Sequence, residues 1–175
     1  MSALLLALRN LCLLRIGPQD LPHSPSLLGT VLGLNLLLDT VTGWLLGRPG
    51  SALGASLLSL IVIMGGLWLL LKMRHFEARF VQTALAVAAA ALLFSVLAIP
   101  VQAMLSPLPT DPSELGDGQR VAMLILAGLG GWSLAVTGHV LRHALEHSFL
   151  VGILLALMLN LAVLAFLGLL LPGAV

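Results

Sequence analysis

The sequence predicts an all-α integral membrane protein: a polytopic bundle of about five transmembrane helices preceded by an interfacial amphipathic helix. Three observations predict it. Hydrophobic residues make up 59% of the 175-residue chain and charged residues only 9%, against roughly 25% charged in a soluble domain. Mean hydropathy is +1.12, too apolar for a surface solvated by water. The few charges and prolines are also clustered. Between the clusters lie apolar runs of about 20 residues, the helix length that crosses a hydrocarbon core of about 30 Å.

Residues 1–16 are apolar but interrupted by Arg9 and Arg15. They lack the order of a secretory signal, in which positive residues precede an apolar stretch and a small-residue cleavage site. They are expected to stay in the mature protein as an interfacial helix, leucines in lipid and Arg9, Asn10 and Arg15 toward headgroups. A polar turn, Gly17 to Pro22, leads to the first span at about 26–46. The connection Gly47-Arg48-Pro49-Gly50 opens the second, about 51–71, and the basic loop Lys72 to Arg79 opens the third, about 80–100. A polar stretch from Ser106 to Arg120 separates it from the fourth, about 121–140. The fifth, about 149–171, is stopped by Pro172. All of this reads as one membrane domain, 1–175. Tyrosine is absent, so the aromatic belt at the membrane surfaces falls to Trp44, Trp68 and Trp132.

Charge excludes one class of partner and predicts an orientation. A net charge of +1, with the eight basic residues divided among several short segments between the apolar runs, leaves no footprint for nucleic acid. One cysteine, Cys12, excludes an internal disulfide and a multi-cysteine metal site. Five spans put Arg9, Arg15, Lys72, Arg74, Arg79 and Arg142 on one side, and Arg48 and Arg120 on the other with Asp111, Glu114 and Asp117. Lysine and arginine collect on the cytoplasmic side. The expectation is a bacterial inner-membrane protein with a cytoplasmic N-terminus and a periplasmic C-terminus.

Small residues four apart share a helix face and let backbones approach. Gly29 with Gly33, Gly43 with Gly47, and Ala127 with Gly131 and Ala135 have that spacing. They are expected to pack this chain's own helices, with oligomerisation as the alternative. The alanine-rich run from Ala84 to Ala91 suits the third span to a central position.

Polar residues inside spans are costly in lipid and so are functional candidates. Asp39 is the one carboxylate well inside a span, with Asn35 one turn before it on the same face. Asn160 lies near the middle of the fifth span, at a depth comparable with Asn35, and the two asparagines are expected to hydrogen-bond across the bundle. Asp39 reads either as a proton or cation relay or, more plainly, as a capped or water-exposed carboxylate that orders the bundle.

The most distinctive segment is Gly138 to His147, where His139, His143 and His147 form a stripe on one helix face. Two histidines four apart can share a metal. Three cannot here, because the outer two lie about 12 Å apart along the axis and zinc–nitrogen bonds are about 2 Å. A site would need His75 or Glu77 from the neighbouring loop. No metal and no cofactor are predicted. The stripe reads as a membrane-surface feature, His139 nearest the headgroups and His143 and His147 progressively more exposed. Arg142 and Glu146, also four apart, read as a helix-surface ion pair. His75, His139, Arg142, His143, Glu146 and His147 together form a candidate cytoplasmic interaction face.

Two enzyme readings fail on the residues. Gly131-Trp132-Ser133 has the form of an intramembrane serine protease nucleophile motif, but the general base would be a histidine on another span, and no other span contains one. The paired metal-binding aspartates of phospholipid-synthesising alcohol transferases are missing.

Five spans with a cytoplasmic N-terminus, and the stretches Leu13 to Pro22, Arg79-Phe80-Val81-Gln82-Thr83 and Gly138 to Leu145, resemble the Yip1 superfamily of small membrane proteins and its uncharacterised bacterial relatives. The Asp-Leu-Tyr-Gly-Pro signature of the eukaryotic members is absent, so vesicle traffic does not carry over. The resemblance implies a membrane-embedded scaffold without catalysis. The expected function is a non-catalytic adaptor or accessory subunit of an inner-membrane complex, with lipid and a membrane protein or a second copy as partners. The alternative is a small transporter or channel component using Asp39, Asn35 and Asn160.

Overall fold

Most of the long helices begin or end near a charge, a proline or a capping serine. The structure, a computed structural model, describes residues 2–47, 49–105 and 115–171; Arg48, Asp111, Glu114 and Pro172, which enter the charge and boundary arguments above, lie outside the described residues. Helix α1 covers Ser2–Cys12, α2 Pro25–Leu45 and α3 Pro49–Met73. Then come α4 over Phe80–Leu105, α5 over Asp117–Leu145 and α6 over Phe149–Leu170. Helices α2 to α6 are each long and apolar enough to cross a membrane.

The boundaries have local causes. Ser24 and Ser148 cap α2 and α6 by accepting from the backbone N–H groups of Leu27 and Val151, which satisfies donors the helix cannot use itself. Pro25 follows Ser24 at the first helical position, where its missing N–H costs nothing. At the other ends, Leu14, His75 and Glu146 take positive φ near 57–59°. Each lets the next residue's N–H reach back to a helix carbonyl: Arg15 to Asn10, Phe76 to Leu71 and His147 to Arg142, at 2.9–3.0 Å. Left-handed backbone costs a non-glycine residue about 1–2 kcal/mol, which the recovered hydrogen bonds offset. Helix α5 exceeds the predicted span at both ends because no proline interrupts Asp117 to Arg120 or Leu141 to Leu145, and Gly118 in the first turn costs only about 1 kcal/mol.

Around the bundle the neighbours run α2, α3, α6, α5, α4 and back to α2, a closed ring. Helix α4 also touches α1 and α3, and Thr83–Ala88, Ala90 and Phe94 on it are buried, the central position its alanines predict. Helices α2 and α4 are parallel neighbours. Gln82 donates to Leu21 O just before α2 at 2.8 Å, Asn35 to Ala88 O at 2.9 Å and Ser95 to Asp39 at 3.3 Å, in the same order along both segments.

The closest helix approaches are not where the small-residue spacing predicts them. A side chain at Gly152 would strike the Gly138 carbonyl oxygen, and one at Gly138 would lie 2.8–2.9 Å from Ile153 Cγ1 and N. Helices α5 and α6 thus cross backbone to backbone. Gly43 does meet Ala52 of α3, at 2.9 Å from a built Cβ, whereas Gly29, Gly33 and Gly131 face open space and Ala127 is exposed. Those rows do not pack this chain's own helices. Spacing marks a shared face but not its direction.

The first helix does more than rest on the surface. Leu11 and Cys12 are buried, and Cys12 packs with Ala90, Phe94 and Val136. Trp132 Nε1 donates to Cys12 O at 2.9 Å and His139 Nε2 donates to Ile16 O at 3.0 Å. The carbonyl can only accept, so the His139 proton sits on Nε2. Seven residues separate Trp132 from His139, about 10 Å of helix axis, so residues 12–16 climb the flank of α5 by that much. Trp132 therefore does not join a surface belt. It sits midway along α5, edge-on to Phe94 at 5.4 Å, and ties the N-terminal segment down.

Candidate functional site

Two sets of polar residues converge, one at the basic end of the bundle and one inside it. At the basic end, the turn Pro18–Asp20, the start of α4 and the end of α5 enclose an open cavity of about 320 Å³ lined by Pro18, Gln19, Arg79, Gln82, Thr83, His143, Ala144 and Glu146. Arg79 is its organiser. It donates to Glu146 at 2.6 Å and to Ala144 O at 3.3 Å, and stacks on Phe76. Gln82 donates to Gln19 O and Leu21 O at 3.3 and 2.8 Å.

The predicted ion pair between Arg142 and Glu146 does not form. Glu146 is the left-handed cap of α5 (φ 57°, ψ 46°), so its side chain leaves the helix face and reaches Arg79 instead. Arg142 lies over the Phe149 ring at 5.6 Å and 3.3 Å from His143 Nε2. Arginine only donates, so that nitrogen accepts. The histidine stripe has the expected gradient: His139 is buried, His143 half-buried and His147 exposed. The His139 and His143 rings meet edge-on at 4.6 Å. His75 stands exposed at the turn after α3, where its backbone ends the helix. No three metal-ligating side chains converge among the described residues.

Inside the bundle, Asn35 and Asp39 line a cleft of about 80 Å³ with Ser56 and Ser59 of α3 and Ala88 and Ala91 of α4. Asp39 also lines a second cavity of about 240 Å³ toward the far end, with Thr42, Gly43, Leu46, Ser95 and Gln102. Asn35 is buried and donates to Val31 O and Ala88 O, both at 2.9 Å.

Asn160 does not meet Asn35. It donates to Ala156 O of its own helix at 2.8 Å and lies on the exposed side of α6. Comparable depth is not enough, because α2 and α6 are not neighbours in the ring. Sequence reasoning placed Arg79 on the basic side without its role at this cavity, and it missed Gln82, Ser56, Ser59, Ser95 and Gln102. The available signal was the spacing of Ser56 and Ser59, three apart in an apolar span and so on one face. Compared with known proteins, the chain matches no family model, no curated protein and no solved structure.

Proposed function

We propose that this chain is a non-catalytic accessory subunit or adaptor of the bacterial inner membrane, held laterally against another membrane protein or a second copy of itself. The outward position of Asn160 carries this reading. It is the one polar side chain in Phe149–Leu170, it lies mid-span, and its amide carbonyl has no partner among the described residues. An amide facing hydrocarbon is costly, and such side chains in membranes hydrogen-bond across helix interfaces. The outward glycines of α5 support the same reading. Nine of the twelve residues from Val121 to Trp132 are exposed, against five of twelve from Phe149 to Asn160, so this half of α5 has room for a neighbour. The Yip1-like organisation fits a scaffold of this kind.

Substituting Asn160→Leu should leave the fold intact, since Asn160 bonds only within its own helix, and should reduce a co-purifying chain in mild detergent roughly fivefold or more, the equivalent of about 1 kcal/mol. Equal retention by both proteins would defeat the proposal.

The proposed orientation puts the basic end, with His75, His139, Arg142, His143, Glu146 and His147, in the cytoplasm as a second contact surface. In a Cys12→Ser background on intact cells, Asp117→Cys should react with an impermeant thiol reagent and His147→Cys should not. The opposite pattern reverses the orientation. A second reading, a small transporter or channel component, is favoured by the cleft at Asp39.

A further inference from the structure

The cleft at Asp39 has a chemical sign that follows from where its hydrogens go. Asn35 spends both amide hydrogens on Val31 O and Ala88 O. Ser56 and Ser59 spend theirs on Ala52 O and Ala55 O, both at 2.8 Å. Ser95 spends its hydroxyl hydrogen on Asp39 Oδ1. What these five residues have left is oxygen: the Asn35 carbonyl, the serine lone pairs and the remaining carboxylate positions. A group that must accept a hydrogen bond finds no donor among them, whereas a cation finds several oxygens drawn from two or three helices.

Size and charge narrow the ligand. A cleft of about 80 Å³, walled beyond its polar residues by Leu32, Leu36, Leu60, Ile63 and Met64, encloses the volume of a few waters, which suits a small ion. Calcium requires six to eight oxygens, commonly several of them carboxylate, and magnesium keeps its waters in a near-ideal octahedron. Here one carboxylate supplies one charge and the other oxygens are neutral. The larger cavity beyond Asp39, lined by Thr42, Ser95 and Gln102, gives a polar approach from the far end. We propose that Asn35, Asp39, Ser56 and Ser59 form an intramembrane binding site for a small monovalent cation of the alkali class. The site deepens the transporter reading and is independent of lateral association through Asn160.

The test is the thermal unfolding midpoint of the purified full chain in detergent, in LiCl, NaCl or KCl against N-methylglucamine chloride at constant ionic strength. At least one alkali salt should raise the midpoint saturably by roughly 3 °C or more, as expected of a ligand that binds only the folded state. Asp39→Asn should abolish the difference between salts. If that variant does not fold, Ser59→Ala, which removes one oxygen and keeps the helix, should raise the half-saturating concentration about fivefold. Equal midpoints in all four salts would overturn the site. So would an ion-specific rise that persists in Asp39→Asn, or an unchanged half-saturating concentration in Ser59→Ala. Ion uptake by proteoliposomes separately decides the transporter reading; specific binding without uptake retains the site and removes transport.

Discussion

Alanine at Gly152 is expected to destabilise the bundle by about 3 kcal/mol, the upper part of the range for overpacking a filled interior. The added methyl would meet the Gly138 carbonyl and come within 3.1 Å of Arg142 N. Both are backbone atoms of α5, and no rotamer change can move them aside. Relief requires α5 and α6 to separate along their shared face, which on helical spacing carries the buried Leu141 and Leu145. The matched control is Gly131→Ala, where a methyl enters open space. That change should fall within about 0.5 kcal/mol of the parent, or stabilise slightly through helix propensity. Stability is read from unfolding in a detergent series. Equal values for Gly152→Ala and Gly131→Ala would show that α5 and α6 do not cross at Gly138 and Gly152.

Releasing the N-terminal helix should make Cys12 reactive. Its side chain is 4% exposed, and burial pushes the thiol pKa above its ordinary value. Access and thiolate fraction thus both suppress alkylation in the docked state. The hydrogen bonds from Trp132 to Cys12 O and from His139 to Ile16 O contribute about 1 kcal/mol each. Removing both with Trp132→Ala and His139→Ala should favour the open state by about 2 kcal/mol, a roughly 30-fold faster maleimide reaction. Trp132→Phe, which keeps a ring and loses the donor, should fall between. Parental labelling rates in the double variant would mean that these contacts do not hold α1.

The five long helices were legible because the constraint on them is crude. A span needs about 20 apolar residues, and this chain interrupts its apolar runs with charge or proline in most places where a helix ends. The packing inside the bundle was less legible. Glycine spacing marked Gly43, which meets Ala52, but paired it with Gly47, which meets nothing, and it passed over Gly138 and Gly152, which lie on different helices and form no repeat within either. The Arg142–Glu146 pair failed because an i, i+4 argument assumes that both residues stay helical, and Glu146 does not. Asn35 and Asn160 were matched by depth, whereas contact also requires adjacency around the ring, which no span length encodes. Asp39 was found as an isolated carboxylate. The serines beside it were overlooked because serine is common in membrane helices and gains meaning here only from the neighbouring helix.

The ring also constrains how the protein can be made. Helices α2 to α5 leave the ribosome first and form an open arc, since domains assemble in the order of synthesis. The arc closes only when α6 enters between α3 and α5, burying Gly152 and Ala156 and seating Leu159 beside Gly66. A nascent chain that stops before Phe149 therefore presents two unfinished helix flanks to the bilayer, including the Gly138 notch and the face of α3 at Gly66. Arrival of α6 removes both at once. Closure of the ring by α6 thus covers in one step both surfaces that α2 to α5 alone leave open.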